Sequence, residues 1–394
     1  MADAVVRLNS RLSPEAMTDL MTRVGIDAPP GNASRRQFQK ATLKAVESAP
    51  DSARTKLEGI AGRIVAFAER DEFAETALRT ACWDLPQLMA LCDAASSIEE
   101  RALRVLFEAP KTFDRASSIS TGHHWRGGRQ HCLFETAKNG DVSDSINEAV
   151  TLIKKAMERQ QAGRRVATDE FTYRDLLSIE DGEDPAKAPL AYHVSVYLEA
   201  PASYWLEFEA GQTEMTPVLR SEAKEIAIDY YPATGELHVA ARGVGGSKVL
   251  HAIAEIFGTH ALETTEIALV ERQEMALGTF LTMSTPVLPI PSGFAKLDIV
   301  EVSLRSRQNR AALATFKGGD SGNAYTRMRE VGVTADKLAG ELIRSVTVEL
   351  ATSVDPAASR SVRATLNWPN RITFDGASPA ERRSIQAWAH LLKE

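Results

Sequence analysis

Residues 224–258 constrain the fold more than any other stretch, because they write two strands, a turn and a helix in unbroken succession. In an extended segment, Ile226, Ile228 and Tyr230 fall on one face while Glu225, Ala227 and Asp229 fall on the other. That period-two alternation predicts a half-buried strand with one side toward solvent. Pro232-Ala233-Thr234-Gly235 supplies turn chemistry, since Pro presets φ and Gly accepts the left-handed region. Leu237, Val239 and Ala241 alternate again and close a hairpin. A glycine corner, Gly243 to Gly246, leads to Ser247 as the expected N-cap of a helix whose apolar stripe is Val249, Leu250, Ile253, Ile256 and Phe257.

The same grammar recurs twice downstream. Asp298–Arg305 and Ala311–Lys317 read as a strand pair, followed by a glycine turn, Ser321 as N-cap, and a short helix carrying Tyr325, Met328 and Val331. Ser345–Ser353 and Ser361–Trp368 read as another pair, extended by Ile372–Phe374. Ser378, Pro379 and Glu381 then form a capping box with proline at the first helical position. Helices laid on an antiparallel or mixed sheet make the expected class α+β.

Residues 12–109 read as helical throughout. Ser13-Pro14, Ser34 with Gln37, and Asp51 open successive helices, and Gly25 closes the first of them. Further segments follow at Phe73–Cys82, Leu85–Cys92 and Ile98–Phe107. Pro110 is expected to end this run, leaving the polar, aperiodic 120–132 as an exposed loop. Ser145 and Glu148 cap a helix with Ile146, Val150, Ile153 and Met157 on its buried side. Strands begin near Tyr173; Tyr192–Leu198 alternates, with Tyr204–Phe208 as its expected partner. Ile267–Val270 has the content of a further strand, and Val287–Pro291 that of an extended connector. The expected domains are a helical domain at 1–110, a basic loop-and-helix connector at 111–165 and an α+β sheet domain at 166–394, with a sub-boundary near 285–296.

At 394 residues with 44% hydrophobic content, the chain can build ordinary cores without staples. Cys82, Cys92 and Cys132 are too few and too scattered for a disulfide framework, which fits a reducing cytoplasm. No window approaches the ~18–20 apolar residues of a membrane span, and no secretory h-region opens the chain. A net charge of −7 gives no global attraction to nucleic acid, so any such contact needs a local patch.

That patch is residues 111–165, where ten basic residues face six acidic ones. Trp125 beside Arg126 has the chemistry to stack on a base while guanidinium groups hold phosphate. Trp125, Arg126, Arg129, Lys154 and Lys155 are therefore the expected contact residues, for nucleic acid or for a protein partner. His123, His124, His131 and Cys132 offer metal-ligating atoms, but no second pair at zinc-site spacing accompanies them, so no metal and no cofactor is expected. Gly243 to Lys248 lacks the Walker A pattern and the third glycine of a dinucleotide fingerprint. Gly319-Asp320-Ser321-Gly322 spells the tetrapeptide around the nucleophile of chymotrypsin-like proteases, but no histidine and aspartate precede it in the required context. His193 and His238 each lie alone in a strand, which is the pattern of a structural histidine.

The expected function is a non-enzymatic binding, adaptor or sensor subunit of a cytoplasmic multi-protein complex, with a protein partner and a nucleic-acid contact through 111–165. One alternative is a metal-dependent hydrolase or nuclease using His123, His124 and His131 with Glu135. Another is a small-ligand sensor whose ligand lies on an open sheet face or at the Gly243–Lys248 corner.

Overall fold

The computed structural model describes residues 3–29, 34–70, 72–126, 130–136, 142–160, 164–179, 183–199, 203–208, 215–220, 223–244, 246–270, 275–283, 290–306, 313–319, 323–338, 341–355, 359–368, 371–375, 377, 379–389 and 391–392. Helices dominate the N-terminal third and two antiparallel sheets follow, so the chain is α+β. It divides into two compact units, one built from 1–126 and 130–269, the other chiefly from 270–394.

The first unit begins with α1 (Asp3–Arg11), α2 (Pro14–Val24), α3 (Arg35–Glu47), α4 (Asp51–Ala68), α5 (Glu72–Cys82), α6 (Pro86–Asp93), α7 (Ile98–Glu108) and α8 (Pro110–Trp125). The start and stop signals act as their chemistry requires. Ser13 Oγ accepts the Ala16 N–H at the start of α2, and Gly25 ends that helix at φ 84°. Ser34 and Gln37 form the capping box of α3. Leu20, Leu57, Ile64, Phe67 and Phe113 sit fully buried at the centre of this bundle. The helix α1 was not anticipated; only Val5 and Leu8 anchor it, too few to show a period.

Pro110 begins a helix instead of ending the helical run. It occupies the first turn of α8, where the missing N–H costs nothing. The expected loop at 120–132 is consequently the C-terminal half of α8 followed by β1 (His131–Glu135).

The remaining strands of this unit are β2 (Val166–Arg174), β3 (Leu190–Glu199), β4 (Ser203–Phe208), β5 (Met215–Arg220), β6 (Ala223–Tyr231), β7 (Glu236–Ala241) and β8 (Ala268–Leu269). The six-stranded sheet runs β2-β3-β6-β7-β1-β8, antiparallel throughout. The segment expected to pair with Tyr192–Leu198 is β4, but it pairs with β5 as a separate hairpin; β6 and β2 flank β3 instead. Two helices, α9 (Ser143–Gln160) and α10 (Ser247–Ala261), cover one face of the sheet. Ile146, Val150, Ile153 and Met157 of α9 and Leu250, Ile253 and Phe257 of α10 meet Val194, Val196, Ile226, Ile228, Leu237 and Val239 there. Both helices begin slightly earlier than expected: Ser145 lies inside α9 and donates to Ala261 O at 2.8 Å, and Gly246 caps α10.

The opposite face of this sheet is covered too. Ala77 of α5 and Ile119 of α8 pack on Phe171, Tyr173, Ala191 and Tyr231. The half-buried strand expected at 225–231 is therefore buried on both sides over most of its length. This three-layer order, helices on sheet on helices, explains how polar residues on the second face come to be enclosed.

The second unit is a sheet of order β10-β9-β11-β12-β13, formed by β9 (Lys296–Ser306), β10 (Leu313–Lys317), β11 (Glu341–Ala351), β12 (Ser361–Asn367) and β13 (Arg371–Asp375). The two strand pairs read from the sequence are the antiparallel pairs β9 with β10 and β11 with β12. One face packs against α11 (Ala324–Glu330) and α12 (Pro379–Ala389), with Val346, Val348, Met328, Ile385 and Trp388 at its centre. Asn323 caps α11 through its side chain, in place of the expected Ser321. Ser321, Ser378 and most of the 287–291 connector lie outside the described residues.

Each unit has its own core, so each should unfold as its own cooperative block. Ile228→Ala and Ile385→Ala remove fully buried side chains from the first and second core respectively. Each should cost about 2–5 kcal/mol. In calorimetry the first should lower one transition and the second a different one; equal displacement of a single transition by both would contradict separate cores.

Candidate functional site

The covered polar face of the six-stranded sheet carries the densest chemistry in the described chain. Strand register sets two rows side by side. Phe171, His193, Asp229, His238 and Leu133 face one another across β2, β3, β6, β7 and β1. One step away run Asp169, Ser195, Ala227, Ala240 and His131. The side-chain period of two puts every member of these rows on the face beneath α8.

Asp229 is the hub. It is only 2% exposed and His193 is fully buried, with His193 Nδ1 2.7 Å from Asp229 Oδ1. Arg126 Nη2 donates to Asp229 Oδ2 at 2.9 Å, and Tyr173 OH donates to Oδ1 at 3.1 Å. Burial alone would push this carboxyl up; His193 and Arg126 overcome it and hold it well below the usual range. The network continues outward. Arg126 Nη2 also donates to Tyr231 OH at 2.7 Å, and Tyr231 OH donates to Asp175 Oδ2 at 2.5 Å. Ser178 Oγ and the Leu177 N–H complete the shell of Asp175. His123 Nε2 stands 3.2 Å from Asp175 Oδ2 without hydrogen-bond alignment, an ion-pair distance only. Burial raises the Asp175 carboxyl, and His123 and Arg126 more than reverse that.

Helix α8 approaches the sheet closely enough that residue 122 must be small. A Cβ on Gly122 would lie 3.1 Å from Asp229 Oδ2 and 3.5 Å from the Ala227 side chain. Gly122 and Ala227 together let the helix descend until Arg126, at its C-cap, reaches Asp229.

On the other side of His193 the network reaches a cleft. His193 Nε2 is 2.8 Å from Ser195 Oγ, which donates to Glu225 Oε1 at 3.1 Å. Glu225 lines a cleft of ≈ 470 Å³ together with Arg63, Arg70, Asp114, Asp169 and Tyr197. Arg63 is paired with Asp114, and Arg70 Nη1 donates to the backbone and side-chain oxygens of Ser117, 3.1 Å each. Tyr197 OH and Ser118 Oγ share a 3.0 Å hydrogen bond. Burial pushes the Glu225 carboxyl up, and His193, Ser195 and Arg70 only partly oppose it. The cleft thus presents two guanidinium groups, a phenol and three carboxyls, of which that of Glu225 holds its proton more readily than a surface glutamate.

The residues expected to make contacts are distributed differently. Arg126 was expected at the surface; it is turned inward to Asp229 and Tyr231 because the buried carboxylate requires a cation. Trp125 is half-buried in the last turn of α8, and Lys154 and Lys155 lie on α9, the second exposed. Arg129 lies outside the described residues. His123 and His124 end α8, whereas His131, on β1, stacks on His238 with ring centroids 5.3 Å apart and Nε2 to Nδ1 at 3.1 Å. No group of three or more His, Cys, Asp or Glu among the described residues is arranged to hold a metal ion. Helices cover both faces of the six-stranded sheet, so the open sheet face considered as a ligand platform is to be found on the five-stranded sheet of the second unit, where β11 and β12 alternate buried with exposed or half-buried residues. At the Gly243–Lys248 corner, Ser247, Lys248, His251 and Glu255 line a shallower hollow of ≈ 240 Å³ on α10. No helix among the described residues is long and apolar enough to cross a membrane.

The sequence marks His193 only as a lone structural histidine and does not single out Tyr173, Asp175, Ser195, Glu225, Asp229 or Tyr231 as site residues. One signal was available: Glu225 and Asp229 alternate with apolar residues, as do His193 and Ser195, so both strands carry ionisable or polar groups on one face. No protein-family model and no curated protein matches the chain.

Glu225 gives a pH signature of fixed sign. Its folded pKa lies above the unfolded value of about 4.3, so its contribution to stability is greatest below that pH and is lost as pH rises through the folded pKa. Glu225→Gln removes this loss. Measured by urea unfolding from pH 4 to pH 8, the variant should gain stability relative to wild type as pH rises; a difference flat in pH would contradict the assignment.

Proposed function

We propose that the protein is a non-enzymatic sensor whose first unit receives a small polar ligand in the cleft above Glu225. The observation that carries this reading is the linkage of that cleft, through Glu225, to a buried charged network spanning three strands and α8. A ligand that changes the charge or hydrogen bonding of Glu225 acts on groups that hold the helical layer to the sheet. The cleft presents both signs of charge, which favours a small zwitterion or a ligand with several hydrogen-bonding groups.

The connectivity Ser195, His193, Asp229 resembles that of a hydrolytic triad, but the context argues against nucleophilic chemistry. Ser195 is fully buried and does not line the cleft. A nucleophile must reach its substrate, with a base able to take its proton. The inward commitment of Arg126 likewise weakens nucleic-acid contact through 111–165. The free cysteines Cys82, Cys92 and Cys132 fit a reducing, cytoplasmic setting.

The test is a thermal-shift screen of amino acids, dicarboxylates and diamines against the full chain, repeated with Arg70→Ala. A binding member at about 100 times its Kd should stabilise the first transition by about 2.7 kcal/mol. The shift should vanish in the variant. No shift across all three chemical classes, or one unchanged by Arg70→Ala, would overturn the reading.

A further inference from the structure

The path from the cleft to Asp229 is continuous, and counting its protons gives it a second property. Asp229 is ionised and accepts from Arg126 and Tyr173, so the 2.7 Å contact to His193 Nδ1 requires a proton on that nitrogen. What remains is the chain Nε2, Ser195 Oγ, Glu225 Oε1, with links of 2.8 and 3.1 Å. This chain has two self-consistent fillings. In one, His193 Nε2–H donates to Ser195 and the Ser195 hydroxyl donates to a Glu225 carboxylate; the imidazole is then a cation. In the other, a Glu225 carboxyl O–H donates to Ser195 and the Ser195 hydroxyl donates to Nε2; both end groups are then neutral. Passing from the first to the second breaks the Nε2–H bond and the serine O–H bond, forms a new serine O–H and a glutamic O–H, and leaves the total charge unchanged.

We propose that Glu225, Ser195 and His193, anchored by Asp229, form a proton relay that carries one proton between the cleft and the buried face beneath α8. Its use rests on the cleft being the ligand site; its existence does not. Groups facing both ends favour an exchange instead of a fixed state. Glu225 meets Arg70 following α4, Ser118 of α8, and Tyr197 and His193 of β3, with Asp169 of β2 on the same cleft wall. His193 meets Asp229 and Glu225 of β6 and the rings of Phe171 and Tyr173 on β2, with Arg126 and His123 of α8 beyond Asp229. A cationic ligand group beside Glu225 keeps that carboxylate charged and His193 protonated. An anionic group moves the proton to Glu225 and leaves His193 neutral, weakening the attraction that joins β3 to Asp229.

The test needs no ligand. Histidine ring nitrogens are followed by ¹⁵N NMR and the protonated-carboxyl band by infrared spectroscopy, over a common pH range, in the full chain. Glu225→Gln assigns the band by its loss and should also change the Nε2 signal of His193. In wild type both signals should report the same two macroscopic midpoints, because strongly coupled sites titrate as a pair. In Ser195→Ala, which removes the hydroxyl that couples them, each signal should report a single midpoint of its own. Shared midpoints that persist in Ser195→Ala, a separate single midpoint for each signal in wild type, or a His193 signal indifferent to Glu225→Gln would each overturn the relay. The Arg70-dependent thermal shift reports on the cleft alone, so either idea can fail without the other.

Discussion

The first unit depends on one enclosed carboxylate. Asp229 sits in the middle of a six-stranded sheet, on a face that a helical layer covers, where an isolated charge would cost several kcal/mol. Its neutralisation requires Arg126 from the end of α8 and His193 from the adjacent strand. Those partners tie the two elements together, and Gly122 and Ala227 supply the clearance that lets them meet. Tyr173, Tyr231 and Asp175 extend the same logic toward β2 and the turn that follows it. A buried network of this kind contributes less to net stability than to uniqueness: an alternative seating of α8 would strand Asp229 without its cation.

This constraint also gives the cleft its character. Apolar packing by Ala77, Ile119, Phe171 and Tyr231 seals one part of the helix–sheet junction. At the Glu225 end the junction opens, and Arg63, Arg70 and Asp114 of the helical layer line the cleft with Asp169, Tyr197 and Glu225 of the sheet. A structural network and an accessible hollow therefore share Ser195 and Glu225. That shared edge is where binding energy can act on the packing of a helix.

Much of the architecture was legible in the sequence. Short-range signals survived because they are satisfied locally: Ser13-Pro14, the Ser34–Gln37 box, the turn at 232–235 and the stripe of α9 depend on neighbours within a few residues. The errors arose where a local sign has two readings. Pro110 ends a helix or begins one, and only the packing of Phe113, Ala116 and Ile119 decides. Alternation in Glu225–Tyr231 marks a strand, but it does not say whether the polar side meets water or another layer. The site was illegible for the same reason. His193, Asp229 and Arg126 are separated by 36 and 103 positions, and strand register brings them together, which no spacing rule encodes. Arg126 beside Trp125 reads as a surface binding pair until the partner for its charge is known to be internal.

The Arg126–Asp229 pair couples α8 to the sheet. A double-mutant cycle with Arg126→Met and Asp229→Asn, read by urea unfolding of the first transition, measures that coupling directly. The two single changes should together be more destabilising than the double change, by an interaction energy of about 0.5–3 kcal/mol. Additivity within about 0.3–0.5 kcal/mol would mean that the two side chains do not support one another, and that α8 is held to the sheet by its other contacts.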